Sequence, residues 1–216
     1  MTATTTRTTT RPVGTVALAF WRQSWAGLRV LLVLSVLLGV VYPLAVTGIS
    51  QVLMRWQADG SLLTASGDRT TDRAQAVGSA LIGQTFDGPS WFWPRPSAAG
   101  DGYDTLASAG SNLGPLNKDL LATVEQRRAD VAAADGVAPG AVPPDALTAS
   151  GSGLDPDISP AYARLQVDRV ARERGLSADE VFALVERQTV GRDLGFLGEP
   201  RVNVLRLNLA LQTMGS

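Results

Sequence analysis

Histidine and cysteine are both absent from these 216 residues. Without histidine there is no Ser-His-Asp triad, no Cys-His dyad and no ordinary zinc site. Without cysteine there are no disulfides, so an exported part of the chain would hold together by packing alone. A third shortage is local. No Asp or Glu occurs before Asp59, while Arg7, Arg11, Arg22 and Arg29 all do. Phosphate-binding signatures are missing too: no Gly-rich loop ends in Gly-Lys-Ser/Thr, and there is no G-x-G-x-x-G. No internal repeat is visible.

What is present begins with Val30–Ile49, twenty residues without a charge. A helix rises about 1.5 Å per residue, so this run matches a ~30 Å hydrocarbon layer. Cleavable signal cores are shorter, about 7–15 residues, and end in a small-residue cleavage site. Ala45-Val46-Thr47 is a poor one, so a retained anchor is expected. The basic flank places the N-terminus in the cytoplasm and the remainder outside. The 20 acidic residues all follow the span with 15 of the 19 basic ones, leaving the outer part acidic by five. That charge argues against nucleic acid as a partner.

The expected organisation is a disordered cytoplasmic tail and interfacial segment over 1–27, a transmembrane helix over 28–54 and an extracytoplasmic domain over 55–216. The fold class is a single N-terminal transmembrane helix followed by one α/β (or α+β) extracytoplasmic domain. Residues 1–12 are low-complexity and polar. Phe20, Trp21 and Trp25 suit the headgroup level. Ser35 and Gly39 form a small-xxx-small pair, and Pro43 is expected to kink the helix. Together Ser35, Gly39 and Pro43 are the candidate helix-packing interface.

In the outer part, 59–72 reads as a loop and 76–86 as a strand or two. Trp91–Ser97 is an aromatic stretch that two prolines keep extended. Asn117 is an N-cap for a helix to about Ala134, with Leu120, Val124 and Val131 on one face. Ser159-Pro160 starts a helix that runs to about Arg174 and stops at Gly175. Ser177–Glu180 is a capping box before Val181, Leu184 and Val185. Val202–Leu211 alternates, with Leu205, Leu207, Leu209 and Leu211 on one face and Arg206 and Asn208 on the other, which predicts a half-buried strand. Ser150, Gly151, Ser152 and Gly153 are the candidate nucleotide-binding turn, since successive N–H groups can hold an anion; a purely structural turn is the competing reading. Asp155 and Asp157 are too few ligands for a cation site, so no metal is expected.

Several longer stretches carry a family resemblance. They are Tyr42–Thr47, Gly78–Gln84, Arg95–Ser97, Ser108–Leu113, Leu147–Pro156, Ile158–Pro160, Gln166–Ala171, Leu194–Val204 and Leu207–Leu209. In that order they resemble the KdpC family, the C subunit of the Kdp high-affinity potassium-transporting ATPase, over about Val30–Leu211. Asp157 departs from the family's common histidine, and Trp91-Phe92-Trp93 from a tyrosine-containing version. The resemblance implies a non-catalytic subunit of a cell-membrane complex with a potassium-carrying A subunit, a P-type ATPase B subunit and a small F subunit. It further implies a catalytic chaperone that raises the B subunit's affinity for ATP. The resemblance associates the subunit with ATP binding; no covalent cofactor is expected, and ATP is expected through the complex. An outer domain cannot reach cytoplasmic nucleotide, so coupling through the spanning helix, or a role at the outer potassium entrance, is physically easier. The alternative function is a free-standing, membrane-anchored extracytoplasmic protein that binds a small ligand.

Overall fold

The computed structural model describes residues 13–214, so the expected disorder of residues 1–12 lies outside the described residues. The chain divides after Ala58 into two compact units.

The first unit is helical. α1 (Val13–Val36) passes through a π-helical turn at Leu37–Val41 into α2 (Tyr42–Leu53), and a short α3 (Arg55–Ala58) follows. Helix therefore starts at Val13 and takes in Phe20, Trp21 and Trp25, which were expected in the tail and interfacial segment. The stretch Ala17–Leu53 is long and apolar enough to cross a membrane, with none of its most apolar window buried within the structure. Pro43 explains the π turn. It has no N–H, and its ring collides with the carbonyl four residues back, that of Gly39. The ladder widens just before it, with the Tyr42 N–H donating to Leu37 O, five residues back.

The second unit is α+β. β1 (Leu62–Thr64), β2 (Arg69–Thr70) and β3 (Ala76–Ser79) form an antiparallel sheet in the order β2-β1-β3. Two of these strands lie in 59–72, which had read as loop. Leu63 is buried there, and the tight turn is held by side chains: Ser66 Oγ donates to Asp68 Oδ2 at 2.7 Å. Only 76–79 of the 76–86 stretch is strand.

α4 (Lys118–Asp135) starts where Asn117 Oδ1 accepts from the Asp119 and Leu120 N–H groups, and ends at Gly136 in the left-handed region. The chain continues through two 3-10 turns to β4 (Asp157–Ile158). α5 (Pro160–Leu165) and α6 (Val167–Arg174) replace the single helix expected to Arg174. They part at Gln166, whose buried side chain serves another segment, but Ser159 and Gly175 cap the ends as expected. α7 (Ala178–Gln188) carries the capping box of Ser177 and Glu180 and buries Val181, Leu184 and Val185.

β5 (Thr189–Val190) and β6 (Arg201–Asn203) join β4 in a second antiparallel sheet, ordered β4-β6-β5. The strand expected over Val202–Leu211 is a correction. It lasts to Asn203, and α8 (Val204–Met214) then takes over. Leu is a strong helix former, and Asn203 Oδ1 accepts from the Arg206 N–H as an N-cap. The buried set includes Val204, Leu207, Asn208 and Leu211, a helical spacing that the leucine alternation concealed. α7 packs on both α6 and α8, and the core runs from Phe92 through Val170, Val181 and Val185 to Leu207 and Leu211.

Candidate functional site

Residues 80–117 contain no helix or strand, yet Phe86 and the buried Phe92 pack on the core. A buried backbone must still pair its N–H and C=O groups. Here side chains do it. Asn208 accepts from the Phe92 N–H at 2.9 Å and donates to Phe92 O at 2.9 Å. Gln166 does the same for Trp93, at 2.7 and 3.2 Å. Arg169 Nη1 donates to the carbonyls of Pro89 and Trp91, and Arg174 Nε to that of Ser90. Both guanidiniums also stack on this segment, a strap over residues 89–93, Arg169 3.8 Å from the Trp93 ring centroid and Arg174 4.2 Å from that of Trp91. Arg169 is anchored by Asp135 at 2.7 Å, both side chains being almost wholly buried. One Asp135 oxygen has no partner, and burial raises the acid's pKa in spite of the arginine.

The strap leads to Arg95, which divides two polar recesses. Its Nη1 donates to Asp155 Oδ2 at 2.8 Å, while its buried Nε has no partner. One recess, of about 590 Å³, is lined by Leu81, Ile82, Arg95 and the Ser150–Ser152 turn. The other, of about 410 Å³, is lined by Asp145, Asp155, Asp157, Ser159, Glu199 and Arg201. Each of these aspartates is engaged. Asp145 accepts from the Ser159 N–H, Asp155 from the Asp157 N–H, and Asp157 from Asn203 Nδ2. Burial raises the pKa of Asp157. Among the described residues no group of three His, Cys, Asp or Glu side chains could hold a metal ion.

The structure brings Ser150–Gly153 against the 97–110 loop. Ser97 Oγ donates to Gly153 O and Ser108 Oγ to Ser152 O. The Gly153 N–H donates within the turn, to Ser150 O at 3.3 Å. Gly153 has φ +68°, and a Cβ there would stand 2.7 Å from both Ala109 O and Ala99 N. Gly151 has nothing within 4 Å of such a Cβ, so the two glycines answer to different constraints. Arg95 is the cation beside the turn, and it is already matched by Asp155. Nothing local marked Arg95 as a site residue, because its partner is 60 positions away.

Ser35, Gly39 and Pro43 lie in the other unit, on the exposed apolar helix, with no neighbour within 4 Å of a Cβ at Gly39.

The family profile described as "KdpC: K+-transporting ATPase, c chain" matches residues 24–213. A protein of Kineococcus radiotolerans named potassium-transporting ATPase KdpC subunit is 60% identical over 192 residues, 89% of this chain and 94% of the relative. Proteins of the same name from Koribacter versatilis and Mycobacterium tuberculosis are each 52% identical, covering 83% and 89% of this chain and 88% and 99% of their own. Because the match runs through the apolar helix, the strap and the Arg95 recesses to α8, the chain belongs to the KdpC family, the c chain of the K+-transporting ATPase.

Proposed function

We propose that the chain is a single-pass accessory subunit of a potassium-importing ATPase, with an A subunit that carries potassium, a P-type ATPase B subunit and a small F subunit as its partners. The observation that carries this reading is the extent of the family match, residues 24–213, which takes in both units. The apolar helix supports it, since the side chains exposed from Ala17 to Ile49 need lipid or other helices around them. The chain performs no chemistry of its own. Without histidine or cysteine, and with its recess aspartates tied into hydrogen bonds, it has no activated nucleophile.

The four basic residues ahead of the span orient the N-terminus to the cytoplasm and the second unit outside. In that orientation the chain raises the ATPase subunit's affinity for ATP through the spanning helix, and Ser150–Gly153 braces the 97–110 loop without holding phosphate. The test is co-expression of the tagged full chain with the other subunits in mild detergent. Stoichiometric recovery is expected, along with a lower ATP requirement of the assembly when the chain is present. Recovery of the chain alone would favour a free-standing anchored binding protein. A reporter active only outside the cytoplasm, fused after Ser216, should be active; activity of a cytoplasmic reporter there would reverse the orientation.

A further inference from the structure

Between β5 and β6 the chain runs out into a hairpin over 191–200. Its tip is closed by two 2.9 Å bonds exchanged between Asp193 and Leu197. The two residues that turn the chain both have positive φ, +53° at Leu194 and +82° at Gly195. Gly reaches this region freely, whereas Leu is strained there. Leu194 gains nothing for that strain within its own chain, because its side chain is 83% exposed. Phe196 and Leu197 beside it are 69% and 49% exposed. The arms are cross-braced by Arg192–Glu199 at 2.7 Å and Arg201–Asp193 at 3.3 Å. A stiff frame thus holds out an apolar knuckle, and strain at an exposed position is the sign of a site formed for something outside the chain.

At the base of the hairpin, Glu199 and Arg201 enter the smaller recess beside Arg95, where four carboxylates face two arginines, and with Arg192 paired to Glu199 the surface stays acidic by one. That acidic excess repels anionic lipid headgroups and complements a basic rim. An apolar anchor next to a charged rim is the anatomy of a protein interface. We propose that the Leu194–Leu197 tip docks into an apolar recess edged by lysine or arginine on another protein subunit of the assembly. This rests on reading the chain as a subunit and names the surface it uses.

Leu194→Asn separates the effects, since Asn tolerates the left-handed region but carries no apolar bulk. In the full chain in detergent its Tm should stay level or rise. Recovery of the other subunits with the tagged variant should fall about tenfold, the effect of one lost anchor, and wild-type recovery should weaken as salt rises. A photo-crosslinking residue at position 196 of the assembled complex should label another subunit. Unchanged recovery of Leu194→Asn, or labelling confined to lipid or to a second copy of this chain, overturns the docking surface and leaves the subunit reading intact. Failure of the wild-type chain to recover the other subunits overturns the subunit reading itself.

Discussion

The helical unit before Asp59 and the domain after it satisfy their backbones in opposite ways. From Val13 to Leu53 nearly every N–H is paired within the helix itself, the ladder merely widening at the π turn, so the side chains are free to be apolar and exposed. The strap at 89–93 has no regular ladder, and its backbone is paired by Gln166, Arg169, Arg174 and Asn208. Apart from Pro43 at the π turn, the first unit owes its local structure to backbone pairing and not to particular side chains. The other depends on a few polar ones, placed where a core would otherwise be apolar.

The sharpest way to break the contrast is Arg169→Met. It strands Asp135 and the carbonyls of Pro89 and Trp91 together, and should destabilise the domain by about 3–5 kcal/mol in urea unfolding followed by tryptophan fluorescence. Adding Asp135→Leu should restore part of that loss, since it removes the orphaned charge but not the orphaned carbonyls. Full loss in the double variant would show that the carbonyls, not the ion pair, carry the effect.

Next is Gly153→Val, with positive φ and two backbone atoms 2.7 Å from the new Cβ. It should cost about 1–3 kcal/mol, whereas Gly151→Val should stay within about 0.5 kcal/mol. If Gly151→Val also abolished ATP binding measured by calorimetry, the turn would be a phosphate cradle after all.

Asp157 gives a smaller effect with a defined sign. Its folded-state pKa stands above the ordinary carboxylate value, chiefly from burial. Its contribution to stability is therefore complete below the unfolded pKa and is lost as pH rises through the folded one. Asp157→Asn, which still offers Asn203 an oxygen, should raise Tm at neutral pH and converge with wild type in acid. A gain that persists undiminished in acid would rule out this ionisation as the cause.

Gly39→Leu should do least to the fold. The position is open, so the helix and domain remain as stable as before, and the loss should appear only as poorer recovery of partner subunits. Unimpaired recovery would mean that this face meets only lipid.

The same contrast explains what was legible in the sequence. Asn117, Ser159 and Ser177 announced their helices because each accepts from an N–H within three residues. The long apolar helix was legible from composition. The strap's partners were not, lying 73 to 116 positions away. The α8 error has the same root. A solvent-facing Asn208 fitted a strand, but in the fold Asn208 is turned inward by its bonds to Phe92. The Arg95–Asp155 pair was hidden by distance in the same way.

The distance from Phe92 to Asn208 also sets an order of events. As the chain is synthesised, the aromatic stretch at 91–93 emerges long before the residue that pairs with Phe92. Until α8 arrives, two tryptophans and a phenylalanine lie on a segment with no ladder to hold it. Such sticky intermediates are what chaperones retain and proteases find. The last side chain to reach that segment is therefore Asn208, made more than a hundred residues after the Phe92 backbone it pairs.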